Sequence, residues 1–316
     1  MKKNRYVLML IIIISSFLIV LFTYKIINRL IENRKTYTIE LSNEFGFTPK
    51  YIFVPVVIKN KVYRFIIDTG ASVSILNTSL KNELHLQEKN ELVDISTFSP
   101  IYTTLSFKPL EKVKFKLGGK TLSHTFYYNS EKGADDTFDG LLGMDILNQF
   151  NWFFAVMDNK IRFSKQKFEV DGQNQLKLNY ELRDGGTPNF NIQIDDTISA
   201  KVLFDTGYIS TLQINNSCFI VDLFLNKDAQ GDSIINYLHE KYDPHHLFRE
   251  LKERENIAFH ISPKLNINGF TVDRFVALQS NDSKTVANTS LFSVQFLNRF
   301  DKVYLFPKTK EFVFCK

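Results

Sequence analysis

Two aspartic acids in this sequence are each followed by threonine and glycine, and each stands at the end of an apolar run. Asp68-Thr69-Gly70 follows Phe65-Ile66-Ile67, and Asp205-Thr206-Gly207 follows Val202-Leu203-Phe204. Both patterns predict a buried strand that ends in a carboxylate at a tight turn. Two carboxyl groups that face each other closely cannot both ionise near neutral pH, so they share a proton. Such a pair can activate water for peptide-bond hydrolysis without a metal or a cofactor.

A second pair of segments repeats this relationship farther along the chain. Residues 140–150 lie downstream of the first triplet, and residues 290–300 lie downstream of the second. Aligned without a gap, these segments are identical at Leu141 and Leu291, Leu147 and Leu297, Asn148 and Asn298, and Phe150 and Phe300. Two long similar copies predict a duplicated lobe rather than a solenoid of short repeats.

Together these motifs resemble those of the aspartic proteases in their two-lobed, single-chain form. The segment Asp139-Gly140-Leu141-Leu142-Gly143-Met144-Asp145 is similar to the second signature of the retropepsin-like proteases, an apolar pair followed by glycine. The resemblance covers about residues 36–316. It implies an all-β, two-lobed acid-protease fold, in which two duplicated, closed β-barrel lobes leave a cleft between them. It also implies that Asp68 and Asp205 are the catalytic pair.

The resemblance further assigns roles to the residues around the two aspartates. Thr69 and Thr206 are expected to donate hydrogen bonds across the lobe boundary to the opposite backbone. Gly70 and Gly207 are expected to leave room for the carboxyl groups, because glycine permits close backbone approach. Ala71-Ser72, which follows the first triplet, matches the retropepsin-like pattern and is a candidate part of the cleft.

The second half departs from the family pattern at three positions. Tyr208 stands where a small residue is usual, and Ser290 and Ser293 replace the two glycines of the second signature. The tyrosine could crowd the cleft or hydrogen-bond the second carboxylate, whereas serine is small enough to preserve the packing. By the same resemblance, residues 92–108 are expected to form the hairpin flap over the substrate. Tyr102 is the candidate for its tip, with an ordinary edge-strand tyrosine as the alternative.

The expected activity is that of an aspartic endopeptidase whose partner is a polypeptide bound in an extended conformation. Two alternatives stay open from the sequence. One is a catalytically inactive, peptide-binding module of the same fold, which the departures in the second half support. The other is an obligate homodimeric protease that uses Asp68 from two chains.

Composition places the chain among globular, β-rich proteins of about two domains. Of 316 residues, 44% are hydrophobic, and 30 Phe and 13 Tyr suit strands. The net charge of +5 is modest, and no basic and aromatic pattern typical of nucleic-acid binding is present, so no nucleic-acid partner is expected. Cys218 and Cys315 lack metal-ligand spacing and are expected as free or buried thiols, with a disulfide as the alternative. The pair His245-His246 is expected on the surface, and no metal site is predicted.

An apolar stretch near the N-terminus predicts a single-pass membrane anchor. Tyr6 to Tyr24 carries no charge, and as a helix it spans about 28 Å, enough for the hydrocarbon core. A cleaved signal peptide is the alternative, but no small-residue cleavage site follows the apolar run.

Basic residues flank both sides of this stretch, so charge alone does not set its orientation. The short N-terminal tail favours a signal-anchor, with the large C-terminal part outside the cytoplasm, periplasmic or at the cell surface. These inferences divide the chain into an anchor and stalk at 1–35, a first lobe at 36–170 and a second lobe at 171–316.

Overall fold

The computed structural model of the chain describes residues 2–42, 44–48, 50–96, 104–129, 137–172, 174–183, 186–207, 211–214, 217–220, 222–225, 229–242, 257–280 and 290–316. Helix α1, Lys2–Arg34, comes first and continues through the basic segment that was expected to be a stalk. Within its portion Ile14–Arg34, a window of 18 residues has a mean hydropathy of 1.6, and none of that window is buried. By length and composition this helix could cross a membrane, and a signal sequence would meet the same criteria.

The first lobe is built from short strands and two short helices. Its strands are β1 Thr36–Glu40, β2 Gly46–Phe47, β3 Ile52–Ile58, β4 Lys61–Ile67, β5 Ile75–Leu76, β6 Val93–Ser96, β7 Thr104–Leu117, β8 Lys120–Tyr128, β9 Gly140–Leu142, β10 Asn151–Ala155 and β11 Lys160–Ser164. Its helices are α2 Thr78–Leu84 and α3 Met144–Leu147.

Six of these strands close into a barrel in the order β3-β4-β9-β5-β8-β7, with a β3–β7 pairing that completes the ring. Strands β3 and β4 form a hairpin whose turn residues, Lys59 and Asn60, have φ of 48° and 66°. Positive φ at both central residues is the turn geometry that matches the twist of a two-residue hairpin. Strand β4 then runs parallel to β9, and its end delivers the first Asp-Thr-Gly.

The second lobe follows the same plan with a longer insertion. Its strands are β12 Gln175–Leu182, β13 Pro188–Ile194, β14 Ile198–Asp205, β15 Thr211–Ile214, β16 Ser217–Ile220, β17 Leu223–Leu225, β18 Ile257–Ile267, β19 Phe270–Ser280, β20 Leu291–Ser293, β21 Lys302–Phe306 and β22 Glu311–Cys315. Its helices are α4 Ala229–Tyr242 and α5 Val294–Asn298.

The second barrel has the order β13-β14-β20-β17-β19-β18 and is closed by a β13–β18 pairing, as the first is by β3–β7. The strand register is also the same in the two lobes. Ile66 lies opposite Leu141 in the first barrel, and Leu203 lies opposite Leu291 in the second. A slip of one residue would turn every side chain to the other face of the sheet. The equal register therefore places both triplets at equivalent positions in the two barrels.

The two lobes are joined by a six-stranded sheet in the order β1-β11-β10-β21-β22-β12. Strand β10 of the first lobe pairs with β21 of the second, with Trp152 opposite Leu305. The wholly buried large side chains are mostly phenylalanine and are distributed over both barrels and this sheet: Trp152, Tyr304, Phe65, Phe115, Phe126, Phe154, Phe163, Phe190, Phe204, Phe292 and Phe296. The predicted all-β fold of two closed, duplicated lobes behind an apolar helix is confirmed.

Candidate active site

The two aspartates stand at equivalent strand ends, and their own turns orient them. Asp68 directly follows β4, and Asp205 is the last residue of β14. The Asp68 Oδ1 atom accepts hydrogen bonds from Gly70 N at 2.8 Å and Ala71 N at 3.0 Å. The Asp205 Oδ1 atom accepts one from Gly207 N at 2.9 Å. Backbone amides therefore fix one oxygen of each carboxyl group in place.

The threonines of the two triplets bind across the boundary between the lobes. Thr69 Oγ1 donates to Phe204 O over 2.7 Å, and Thr206 Oγ1 donates to Ile67 O over 2.8 Å. Each hydroxyl also accepts from the opposite backbone amide, with N–O distances of 3.0 Å and 3.1 Å. The exposed fractions of Thr69 and Thr206 are 1% and 0%. This reciprocal set satisfies every group that it buries, and it locks the two turns to each other.

The glycines of the triplets bring the two carboxyl groups to one junction. A Cβ atom added at Gly70 would lie 2.2 Å from Asp205 Cγ, and one added at Gly207 would lie 2.3 Å from Asp68 Cγ. Each carboxyl group thus lies directly against the glycine of the opposite lobe. Any side chain at either glycine would displace the carboxyl group that it meets.

The apolar pairs of β9 and β20 lie behind the two turns. A Cβ atom at Gly143 would come within 2.5 Å of Val73 O, so the first lobe needs glycine there. In the second lobe the equivalent Ser293 is wholly buried, and its Oγ accepts from Gln295 N at 3.2 Å at the start of α5. Ser290 is likewise buried. The second lobe accommodates serine at both places without a change of strand register.

Of the other candidate site residues, some lie in the described part of the chain and others lie outside it. Ala71 and Ser72 are half-buried on the segment that follows the first triplet. Strands β6 and β7 form the two arms of a hairpin, with Ser96 opposite Thr104. Tyr102 belongs to the connection between these arms and lies outside the described residues. Tyr208 and the pair His245-His246 also lie outside them.

The structure gives direct information on one of the two cysteines. Cys315 at the end of β22 is a free and buried thiol. Burial raises the pKa of this thiol to about 11, which keeps it protonated and unreactive near neutral pH. Within the part of the chain that the structure describes, no group of three or more His, Cys, Asp or Glu side chains could hold a metal ion.

A polar network beneath the first turn was not anticipated from the sequence. The Asp145 carboxylate accepts from Ser74 Oγ at 2.6 Å and from Ser74 N at 2.9 Å, and it lies 2.7 Å from His124 Nε2. Asp145 had been noted only as the last residue of the second signature. Nothing in the sequence singles out His124, because it reaches Asp145 from a different strand of the barrel.

The second lobe holds a buried ion pair next to β17. Asp222 directly precedes β17, and it is wholly buried. Its two carboxylate oxygens bind Nε and Nη2 of Arg299. Val276 N donates to the same carboxylate at 2.8 Å. A buried carboxylate with a two-pronged guanidinium partner is the geometry in which arginine binds most specifically.

Two closed barrels, a shared sheet and paired Asp-Thr-Gly turns define the fold of the two-lobed aspartic proteases. Residues 54–146 match the family described as aspartyl protease. The chain is also similar to the crystal structure of an aspartic proteinase from Irpex lacteus, with a TM-score of 0.56 at 11% identity over 89% of this chain and 97% of that one. No curated protein sequence matches the chain. The resemblance to pepsin-like and retropepsin-like proteases is thereby confirmed, and a protease function has support from the family match over residues 54–146.

Proposed function

We propose that the chain is an aspartic endopeptidase that hydrolyses peptide bonds with a water held between Asp68 and Asp205. The observation that carries this proposal is the reciprocal binding of the two turns. Thr69 and Thr206 brace each other, and each carboxyl group lies against the glycine of the opposite lobe. Only an arrangement of this kind brings two carboxyl groups from separate barrels to one point.

In the proposed chemistry, one carboxyl group of the pair is ionised and the other is protonated, and each has its own role. The ionised carboxyl group acts as a general base toward the bridging water, and the protonated one polarises the carbonyl of the scissile bond. The pair titrates as a unit, so the acid and base roles are not assigned separately to Asp68 and Asp205. Thr69, Gly70, Thr206 and Gly207 support the turns, and no metal or cofactor takes part in a step.

The proposed substrate is a polypeptide in an extended conformation, bound by strand-like hydrogen bonds in the cleft between the lobes. Ala71 and Ser72 would border this cleft beside the first turn. The hairpin of β6 and β7 would supply the flap, with Tyr102 at its tip. Tyr208 would narrow the cleft beside Asp205 and restrict the set of peptides that are cleaved, so Tyr208→Ala should broaden that set.

We also propose that α1 is an uncleaved, single-pass anchor whose membrane-embedded part is residues 6–24. The domain from Thr36 onward would then lie outside the cytoplasm. The length and apolar composition of the helix support an anchor, and they would equally suit a signal sequence. Resistance of the full-length protein to alkaline extraction from membranes would support the anchor. A mature N-terminus near residue 25 would contradict it.

Each of the two alternatives predicts a behaviour that differs from that of a single-chain protease with Asp68 and Asp205 as its catalytic pair. An inactive peptide-binding module would bind extended peptides without cleaving them. A homodimer that uses Asp68 from two chains would not need Asp205. The hydrogen bonds between Thr69 and Thr206 of one chain favour the single-chain pair over the homodimer, because the first turn already has its partner.

A peptide-library cleavage assay tests the proposal directly. Purified full-length protein in detergent would be incubated with the library from acidic to neutral pH, with and without a pepstatin-type inhibitor. Cleavage that the inhibitor blocks and that Asp68→Asn abolishes is expected. Binding of library peptides without cleavage at any pH would instead support the inactive module.

A further inference from the structure

The network beneath the first catalytic turn is compact and partly buried. The side chains of His124 and Asp145 are each 19% exposed, and Ser74 is wholly buried. Three donors converge on the Asp145 carboxylate: the hydroxyl and amide of Ser74 and the Nε2 of His124. Such hydrogen bonds are strongest when both partners are charged, as in a carboxylate with a protonated imidazole.

This network is connected to Asp68 through the backbone. Ser74 Oγ accepts from Gly143 N at 3.0 Å, and the next amide, Met144 N, donates to Ala71 O at 2.8 Å. Ala71 N in turn donates to Asp68 Oδ1 at 3.0 Å. The segment from Asp68 to Ser74 is therefore held at both ends. At the Ser74 end, the segment is fixed by the Asp145 carboxylate, and His124 is the third hydrogen-bond donor to that carboxylate.

The second lobe holds a pair of another kind near its own turn. Asp222 is bound there by Arg299, and arginine side chains are not deprotonated in proteins. Histidine changes its charge between about pH 5 and pH 8. The contacts near the first turn thus include a histidine, whereas the Asp222–Arg299 pair of the second lobe does not.

Among the charged groups near the His124 imidazole, Asp145 is the one that contacts it directly. The titratable and charged groups on the surrounding elements include Asp145 of α3, Tyr127 of β8, Glu91 before β6, and Lys112 and Lys114 of β7. Val113 is the cross-strand neighbour of His124, so the two lysines point to the opposite face of the sheet. Burial, and then the charges of Asp145 and Glu91, raise the pKa of the Tyr127 phenol.

We propose that His124 is a positioning residue whose imidazole holds Asp145, and through it Ser74 and the catalytic turn of the first lobe. The bond from Nε2 to Asp145 is stronger when the imidazole is charged than when it is neutral, so the charged form holds the turn more firmly. Activity would be higher with the charged form for this reason. The effect on activity rests on the proposed function, whereas the effect on the turn does not.

Hydrogen exchange of the full-length protein in detergent tests the effect on the turn. Backbone amides of residues 70–76 would be followed from pH 5 to pH 8, with rates corrected for intrinsic exchange. In the parent, protection should fall several-fold over this range. In His124→Gln, protection should be low and independent of pH. In His124→Lys, which stays charged, it should remain high at pH 8. His85→Asn is the matched control, because His85 is exposed at the end of α2 and should leave the profile unchanged.

Kinetics on a cleaved peptide supply the second measurement. His124→Gln should lower kcat with little change in KM, and His124→Lys should move the alkaline limb of the pH profile upward. Equal protection of residues 70–76 in the parent and His124→Gln at every pH would overturn the proposal, whether or not peptides are cleaved. If no peptide is cleaved but protection changes as expected, the positioning role stands and the proposed protease activity fails.

Discussion

At the scale of single residues, the buried hydroxyls of Thr69 and Thr206 make the hydrogen bonds that join the two Asp-Thr-Gly turns. Thr206 Oγ1 donates to Ile67 O and accepts from Thr69 N, and the residue is wholly buried. An unsatisfied buried polar group costs about 1–3 kcal/mol. Removal of one hydroxyl therefore affects both the stability of the lobe junction and the placement of the carboxyl groups.

We predict that Thr206→Ala lowers the free energy of unfolding by about 1–3 kcal/mol, because Ile67 O and Thr69 N each lose a buried partner. Peptide turnover should fall with it, since Asp205 is the preceding residue. Urea unfolding and steady-state kinetics measure the two effects. Thr206→Ser is the matched control that keeps the hydroxyl, and it should stay close to the parent. Equal stability of all three proteins would show that the brace contributes nothing.

The sequence identifies the two Asp-Thr-Gly triplets but not the contacts between charged side chains that lie near them. Asp68 and Asp205 follow from a local pattern, an apolar strand that runs into Asp-Thr-Gly. The contacts of Asp145 with His124 and of Asp222 with Arg299 depend on which strand lies beside which. Such proximity is set by barrel closure rather than by spacing along the chain, so no local pattern predicts it.

At the scale of elements, the pair of Asp222 and Arg299 joins β17 to the end of α5 in the second lobe. Burial raises the pKa of Asp222, and the two hydrogen bonds from Arg299 oppose that rise. Breaking a buried pair by removing one partner costs about 3–5 kcal/mol, because an uncompensated charge is left inside.

We predict that Arg299→Met destabilises the protein by about 3–5 kcal/mol at pH 7 and by less at pH 4. Without Arg299, the raised pKa of Asp222 exceeds its unfolded value. Stability is then lost as pH rises from the unfolded pKa to the folded one, and it is regained below the unfolded pKa. Urea unfolding at the two pH values measures the difference between variant and parent.

Lys61→Met is the control for this prediction, since the pair of Lys61 and Glu83 is exposed and its loss should change little. A deficit in Arg299→Met that is equal at pH 4 and pH 7 would contradict a charged Asp222 in the buried pair.

Hairpins and their order along the chain follow from the sequence better than the ends of elements do. The β3–β4 hairpin lies where two β-rich runs flank a polar turn. Strand β5 has only two residues, Ile75–Leu76, and exists because β8 and β9 flank it. Helix α1 continues past Tyr24 to Arg34, since basic side chains are good helix formers and end the apolar run without ending the helix. The division of the lobes at 170/171 stays a prediction, between the end of β11 and the start of β12.

At the scale of the whole molecule, the six-stranded sheet joins the two barrels. Trp152, the single tryptophan, is wholly buried on β10 beside β21 of the second lobe. It stacks on Phe163 with ring centroids 4.9 Å apart. Separation of the lobes would expose this ring and the unpaired edges of β10 and β21.

We predict that both lobes unfold in one transition, because neither can leave the shared sheet without exposing such an edge. Tryptophan fluorescence reports on β10, and far-UV circular dichroism reports on strands throughout the molecule. The two signals should change at the same urea concentration with the same slope. Separate midpoints would indicate lobes that are stable independently of the sheet.

The central claim is that Asp68 and Asp205 of one chain form one hydrolytic pair. The most direct test is the peptide turnover of Asp205→Asn, measured together with its mass in solution and its unfolding midpoint. Asparagine has nearly the shape of aspartate but cannot act as a base, so the variant should be folded and monomeric, with turnover lost. Near-full turnover by monomeric Asp205→Asn would contradict the single-chain pair. Near-full turnover by a dimer would favour two Asp68 residues from two chains.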